Sequence, residues 1–259
     1  MKSKIKQSVA PGRATHKQDH GKVAAKKGPK RLPQAERRAL VLSKAAAHFS
    51  EHGLNAQTRA IAQACGISQR LLYSLFPNKA ALVEAVYERE VAGIFKAMWF
   101  VELNDRSVPL EERLVAFYSD YYETVLTRRW LRLFLYSSLA DLRMAPTYTN
   151  AIVAHTLEII VTEAAHDAGK GVPADAHEMA EIGWILHGAI SHLAIRRQIY
   201  ANENPTPVKK VIETAVKAFL ASIPALLPAL PGSIDPTAAP IAPVKQKKID
   251  QKQARQTRA

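Results

Sequence analysis

The stretch Thr58–Lys79, TRAIAQACGISQRLLYSLFPNK, decides how this chain folds. Apolar residues follow helical spacing on both sides of a glycine: Ile61, Ala62, Cys65, Leu72 and Phe76. Gly66 supplies the positive φ that a sharp turn between two helices usually needs. The pattern therefore predicts two short helices joined by a glycine turn, followed by the start of a third helix.

Polar side chains occupy the remaining positions of these two helices. We expect Thr58 to cap the first helix and Ser68 to cap the second, because a hydroxyl at that position accepts an otherwise unpaired backbone N–H. Gln69, Arg70 and Tyr73 are expected to point outward. An amide, a guanidinium and a phenol held rigidly on a small core suit the reading of a DNA major groove.

The same stretch resembles the N-terminal DNA-binding domain of the TetR/AcrR family of transcriptional regulators, over roughly residues 37 to 85. The matching positions are Ala45–Gly53, Thr58, Ile61, Ala62, Gly66–Ser68, Leu72, Tyr73, Phe76, Asn78, Lys79 and Leu82. Gln69, Arg70 and Leu71 replace the lysine-glycine-threonine type of run that the family commonly has. The resemblance therefore implies the fold and DNA binding, and it does not imply a particular operator sequence.

Eight residues are candidates for DNA contact: Thr58, Arg59, Ser68, Gln69, Arg70, Leu71, Tyr73 and Lys79. Four are expected to hold phosphates through hydroxyls, helix N-termini and charge: Thr58, Ser68, Tyr73 and Lys79. Three are expected to reach the bases: Gln69, Arg70 and, against a thymine methyl group, Leu71. The expected partner is double-stranded DNA with a palindromic operator, bound by a homodimer.

Charge divides the chain into four segments. It has 36 Lys+Arg and 23 Asp+Glu, a net charge of +13, and the whole excess lies in residues 1–32 and 226–259. We expect 1–32 to be a disordered basic arm, either lying along DNA or only attracted to it non-specifically. The Pro-rich tail 226–259 is also expected to be disordered. Between them, 33–80 is predicted to be the helix-turn-helix domain and 81–225 an effector-binding and dimerisation domain.

The larger segment is predicted to be helical throughout, so the fold class is all-α. The expected helices cover about 80–103, 109–126, 129–142, 148–168, 178–197 and 207–223, the last capped by Thr206. The first of these is predicted to be one long helix that begins after a cap at Asn78.

The last two helices carry wide apolar faces, which predict either a dimer interface or packing within one chain. The family resemblance implies a four-helix bundle with the symmetry mate. The candidate interface residues are Met179, Ile182, Leu186, Leu193, Val208, Ile212, Val216 and Phe219.

Aromatic residues concentrate in the middle of the larger segment, where they form either a plain core or a ligand pocket. The resemblance implies a pocket for a small-molecule effector, and the candidates are Trp99, Phe117, Tyr121 and Trp184. The scarcity of charges among them favours an apolar or aromatic compound.

Other function classes have little support. No phosphate-binding GxxxxGK[ST], HExxH or GxSxG motif occurs. The His pairs 48/52 and 187/192 do not predict a metal site. We therefore expect that the protein is not an enzyme and binds no metal or cofactor. A single cysteine excludes an intrachain disulfide. With no signal-like segment and no apolar run of ~18 residues, we expect a cytoplasmic protein without a membrane partner.

The sequence thus predicts a dimeric, effector-released repressor; the alternative is an architectural nucleic-acid binder acting through its lysine-rich tails.

Overall fold

A computed structural model describes residues 32–140 and 149–230, and within these ranges the regular structure is helical. The N-terminal helices are α1 (Gln34–His52), α2 (Thr58–Cys65), α3 (Gln69–Leu75) and α4 (Lys79–Glu90). The larger part contains α5 (Met98–Leu103), α6 (Leu110–Thr124), α7 (Arg128–Leu139), α8 (Ala154–Asp167), α9 (Ala176–Gln198) and α10 (Val208–Leu226). A 3-10 turn at Ala92–Ile94 precedes α5, and a π-helical turn at Thr149–Val153 leads into α8. The all-α prediction is confirmed.

The N-terminal helices close around one apolar core. Phe49 of α1, Ile61 of α2, Leu72 of α3 and Leu82 of α4 are all almost completely buried in it. Cys65 is buried there too, as its apolar neighbours predict, and its thiol contacts the carbonyl of Val41. This core fixes the relative positions of α2 and α3.

The long helix predicted over 80–103 is wrong, because the chain leaves helical geometry after Glu90. Val91 is fully buried, and its carbonyl accepts a hydrogen bond from the indole Nε1 of Trp130 (3.3 Å). At Gly93 an added Cβ would lie 2.9 Å from the carbonyl oxygen of Glu88, so the chain turns where only a glycine fits. The helical spacing of apolar residues continues across this break, so the sequence pattern alone does not predict it.

Helix α7 joins the N-terminal domain to the larger part. The guanidinium of Arg132 donates to the carbonyls of Ser50 and Glu51, in the last turn of α1. Its Nη2 also donates to the hydroxyl of Tyr136 (2.8 Å). Carbonyls in the last turn of a helix lack intrahelical partners, so a cation there satisfies them and complements the helix dipole. The end of α1 is thereby tied to α7.

Helices α8 and α9 approach each other closely at Gly183. A Cβ at that position would lie 2.7 Å from the Cβ of Leu157 on α8. Beyond this crossing, His187 of α9 is buried against the Tyr118 ring of α6. Helix α10 packs against α6 and α9. Its cap position is Pro207, with no side-chain cap, so the prediction that Thr206 caps this helix is wrong.

A partly buried ion cluster holds the start of α6. The Glu163 carboxylate accepts from the Arg106 guanidinium (2.8 Å) and from Arg113 Nη1 (2.9 Å). Arg113 also donates to the carbonyls of Leu103 and Val108, which fixes the loop between α5 and α6. These bonds to arginine hold the pKa of Glu163 below its ordinary value despite burial.

The packed structure extends slightly beyond the expected boundary at residue 225. Leu227 is buried, the amide of Gly171 donates to the carbonyl of Pro228 (2.9 Å), and Ala229 forms an isolated β-bridge with Lys170. The predicted disorder of 1–31 and 231–259 lies outside the described residues.

Candidate nucleic-acid interface

The turn between α2 and α3 has the geometry that the sequence predicts. Gly66 has φ 69° and ψ 31°, the left-handed conformation that ends α2, and its amide donates to carbonyls of α2. The Ser68 hydroxyl then accepts the amide of Leu71 (3.2 Å) and caps α3. Asn78 caps α4 in the same way through the amide of Ala81 (2.8 Å). Each of the two helices therefore begins at a fixed residue.

Thr58 does not have its predicted role as a cap. The cap position of α2 is Gln57, and Thr58 is the first helical residue, without a side-chain cap bond. Its hydroxyl instead accepts from Nε2 of Gln69 (2.9 Å) and lies 3.1 Å from the hydroxyl of Tyr73. The hydroxyl faces α3 because the packing of the two helices brings the first turn of α2 beside α3.

None of the eight predicted DNA-contacting residues is fully buried. Gln69, Arg70 and Tyr73 are exposed on α3, and Arg59 is exposed on α2. Leu71 and Lys79 are half-buried, so only part of each side chain is available. The structure brings Thr58, Gln69 and Tyr73 into contact with one another.

Arg38 is an additional residue of this region that the sequence did not single out. Its Nη1 donates to the carbonyl of Leu75 (2.9 Å), and its guanidinium lies 4.2 Å from the centre of the Phe76 ring. Arg38 therefore binds the C-terminal end of α3 to α1. The contact spans 37 positions of sequence and leaves no local pattern that could have revealed it.

The candidate effector residues form a closed aromatic cluster. Trp99, Phe117 and Tyr121 are buried, and their ring centres lie 5.5 to 5.7 Å apart. The Trp99 indole donates to the Asp120 carboxylate (2.8 Å). Trp184 is half-buried and contacts the cluster through the ring of His187. The four residues are therefore brought together, but as packed core.

His187 completes this cluster and was not among the sequence candidates. Its Nδ1 lies 3.5 Å from the Tyr118 hydroxyl, and burial lowers its pKa to about 4, so the ring is neutral at pH 7. Burial also raises the pKa of Tyr118. The cluster therefore holds no net charge at neutral pH.

An open cavity of about 1020 Å³ lies elsewhere, at the end of the bundle, and no candidate effector residue lines it. It lies between the end of α8, the loop at Gly169–Pro173 and the residues that follow α10.

Most of the predicted dimer residues are buried within the single chain. Six lie in its core: Ile182, Leu186, Leu193, Ile212, Val216 and Phe219. Met179 and Val208 are half-buried. The apolar seams of α9 and α10 thus pack against the chain's own helices.

Neither a metal site nor a membrane segment is present in the described ranges. No group of three or more His, Cys, Asp or Glu side chains is placed to bind a metal ion there. None of the helices between Leu32 and Leu230 that the structure describes is long and apolar enough to cross a bilayer.

Comparison with known proteins finds a family match within the N-terminal domain. Residues 41–86 match the family model "Bacterial regulatory proteins, tetR family". No curated protein matches the chain.

Solved structures of regulators share the fold. A transcriptional regulator from Pseudomonas aeruginosa PAO1 is 19% identical, with a TM-score of 0.58 over 76% of this chain and 96% of its own. A TetR-like regulator from Rhodococcus sp. RHA1 is 20% identical, with a TM-score of 0.54 over 74% and 99%. A TetR-family regulator from Mesorhizobium loti MAFF303099 is 14% identical, with a TM-score of 0.54 over 74% and 98%. At these identities the likeness is one of fold.

Proposed function

We propose that this chain, a TetR-family transcriptional regulator and not an enzyme, works as a symmetric dimer that represses transcription from a palindromic operator and releases it when a small molecule binds. The observation that carries the proposal is the exposed polar side of α3. Gln69, Arg70 and Tyr73 project from a helix whose start is fixed by Ser68 and whose opposite side is buried.

Charge supports DNA as the partner of this surface. Residues 33–80 contain six basic and two acidic residues, whereas 81–225 contain fourteen and eighteen. The segment with a positive balance is therefore the domain that contains α3. Such a distribution attracts a polyanion and makes binding weaken as salt rises.

The dimer would form through the outer faces of α9 and α10. On α9 this face holds Ile185, Ala189 and His192, all exposed. On α10 it is free of charge and built of small residues: Val211, Thr214, Ala215, Ala218, Ala221 and Ser222. Two such helix pairs would pack as a four-helix bundle around a two-fold axis. A dimer is required because one recognition helix reads too few bases.

An apolar or aromatic effector would enter the Trp99 cluster by displacing ring contacts. Trp99 belongs to α5, and α5 follows the irregular segment after Val91, so a shift there reaches the end of α4. To release DNA, the effector must bind the DNA-incompetent dimer more tightly, by about 1–3 kcal/mol for a typical allosteric coupling.

The test is selection of bound fragments from genomic DNA, followed by competition binding of Arg70→Ala. Loss of one good base contact is expected to reduce discrimination between the selected operator and mismatched DNA by about 1–3 kcal/mol. Lys210→Ala removes an exposed charge from α10 and serves as the control. If Arg70→Ala kept the operator preference of the unchanged protein, Arg70 would not read a base.

The alternative, an architectural DNA binder, draws support from the charge of the chain's two ends. Deleting 1–31 and 231–259 removes no residue of the described helices. An architectural protein would then lose nearly all DNA affinity, whereas a groove-reading dimer would keep its preferred site with a smaller salt dependence.

A further inference from the structure

Three polar side chains of the N-terminal domain form a continuous hydrogen-bonded chain on its exposed side. Nε2 of Gln69 lies 2.9 Å from Oγ1 of Thr58, and that oxygen lies 3.1 Å from the hydroxyl of Tyr73. Gln69 and Tyr73 are four residues apart on α3 and so lie on one face of it. Thr58 comes from the first turn of α2 and bridges them.

The direction of the Gln69 bond follows from what each group can donate. An amide nitrogen only donates, so the oxygen of Thr58 accepts from Gln69. The bond between Thr58 and Tyr73 can run in either direction, because each hydroxyl can donate or accept. One of the two hydroxyl protons therefore remains for an acceptor outside this chain of bonds.

The bond to Thr58 leaves one edge of the Gln69 amide free. That edge carries the oxygen, which accepts, and the second N–H, which donates. Adenine presents the complementary pair in the major groove, its N6 amino group and its N7. A freely rotating glutamine amide could instead turn its nitrogen toward the acceptors of guanine, and the Thr58 bond opposes that rotation.

We propose that Thr58 is a positioning residue that holds the Gln69 amide in the orientation that selects adenine. The inference rests on the proposed reading of DNA by α3 and adds which side chain sets its specificity. This role takes the place of the phosphate contact predicted for Thr58, since its hydroxyl already bonds to two side chains of α3. Because the amide is oriented before DNA arrives, less rotational freedom is lost on binding.

The first experiment compares Thr58→Val with Thr58→Ser. Valine keeps the branched shape and loses the hydroxyl, while serine restores the hydroxyl; neither removes a helix cap, since Thr58 provides none. Dissociation constants are measured on the selected operator and on the same DNA with the Gln69-dependent base pair replaced. That pair is identified as the one whose preference disappears in Gln69→Ala.

We expect Thr58→Val to reduce the preference at this single base pair about 5- to 10-fold, part of the discrimination expected of one bidentate contact. Thr58→Ser is expected to keep it. In the Gln69→Ala background, Thr58→Val should change the preference no further, because the amide it orients is gone. Circular dichroism melting shows whether each variant is folded, and Thr58→Ala substitutes for the valine variant if that one is not.

Two results would overturn the inference. If Thr58→Val weakened binding equally on every sequence, with or without Gln69, Thr58 would contact phosphate directly. If Gln69→Ala lost the base preference and Thr58→Val kept it, α3 would still read DNA but without this positioning. A protein with no sequence preference at all would instead refute both the inference and the proposed function.

Discussion

At the scale of single residues, the buried His187 makes the stability of the fold depend on pH. Its pKa of about 4 lies below the ordinary 6.5, so between these values the unfolded chain binds a proton that the folded chain excludes. The contribution of His187 to the free energy of unfolding is therefore fully present above pH 6.5, and it is lost as the pH falls toward 4. The full effect is roughly 3 kcal/mol.

The His187 prediction is tested by urea unfolding of the protein and of His187→Gln at pH 6.5 and pH 5. Between these two pH values we expect the free energy of unfolding of the variant to depend less on pH, by roughly 1 kcal/mol per pH unit, somewhat below the limit of about 1.4 for one whole proton. His177→Gln, on the exposed start of α9, is expected to keep the slope. An equal slope in all three proteins would show that His187 is not held neutral by burial.

Gly183 gives a second prediction at this scale. Gly183→Ala places a methyl group 2.7 Å from the Cβ of Leu157, so α8 and α9 must separate. We expect the free energy of unfolding to fall by about 1–3 kcal/mol, the usual cost of overpacking. Nothing within the chain lies within 4 Å of a Cβ at Gly188, on the same helix.

Gly188→Ala is the matched control for this substitution. Because alanine favours a helix over glycine, it should leave the chain as stable or up to about 1 kcal/mol more stable. Gly188 shares a helix face with Ile185 and His192, on the proposed dimer surface. Urea unfolding therefore compares the two substitutions in the Ile185→Asp background, where this surface has no partner. A Gly183→Ala protein as stable as Gly188→Ala would mean that the helices do not approach this closely.

At the scale of elements, the α7–α1 connection is expected to set how firmly the DNA-binding domain is held. Arg132→Met removes the cation from the carbonyls of Ser50 and Glu51 while keeping the length of the side chain. We expect amides in the last turn of α1 to exchange faster with deuterium, by about 10-fold for roughly 1.4 kcal/mol of lost local stability.

The control for Arg132 is Arg128→Met, which removes a bond to the carbonyl of Gln198 within the larger domain. In the Arg128→Met protein, the rate of deuterium exchange of the α1 amides should be unchanged. If both variants exchanged alike at Phe49–His52, the guanidinium of Arg132 would not hold this end of α1.

The helix boundaries show which features of the fold could be predicted from the sequence. Ser68, Gly66 and Asn78 were predictable, because caps and turns depend on residues three or four positions apart. The break after Glu90 was not, since it depends on Trp130 reaching the carbonyl of Val91 from 39 residues away. For the same reason Thr58 was assigned to a cap: its hydroxyl bonds to a helix that only tertiary packing brings near.

At the scale of the whole molecule, apolar spacing identified α9 and α10 as helices that need cover on more than one side. It could not decide which seam faces the chain's own core, because both are apolar. The structure buries the Ile182–Leu186–Leu193 seam and leaves Ile185 half exposed. The dimer prediction therefore moves to the opposite face of the same two helices.

Ile185→Asp tests this face. A carboxylate there would be desolvated on both sides of the two-fold axis, so we expect a monomer at micromolar concentration and at least 100-fold weaker operator binding. Val101→Asp, at an even more exposed site on α5, should remain dimeric. Sedimentation velocity measures both, and a dimeric Ile185→Asp protein would place the interface elsewhere.

The central claim is that a symmetric pair presents two α3 helices to successive major grooves. Hydroxyl-radical footprinting of a selected operator tests it most directly. The account predicts two protected segments related by a two-fold axis, with centres about one DNA turn, ~34–36 Å, apart. A single protected segment, or uniform protection along the fragment, would contradict it.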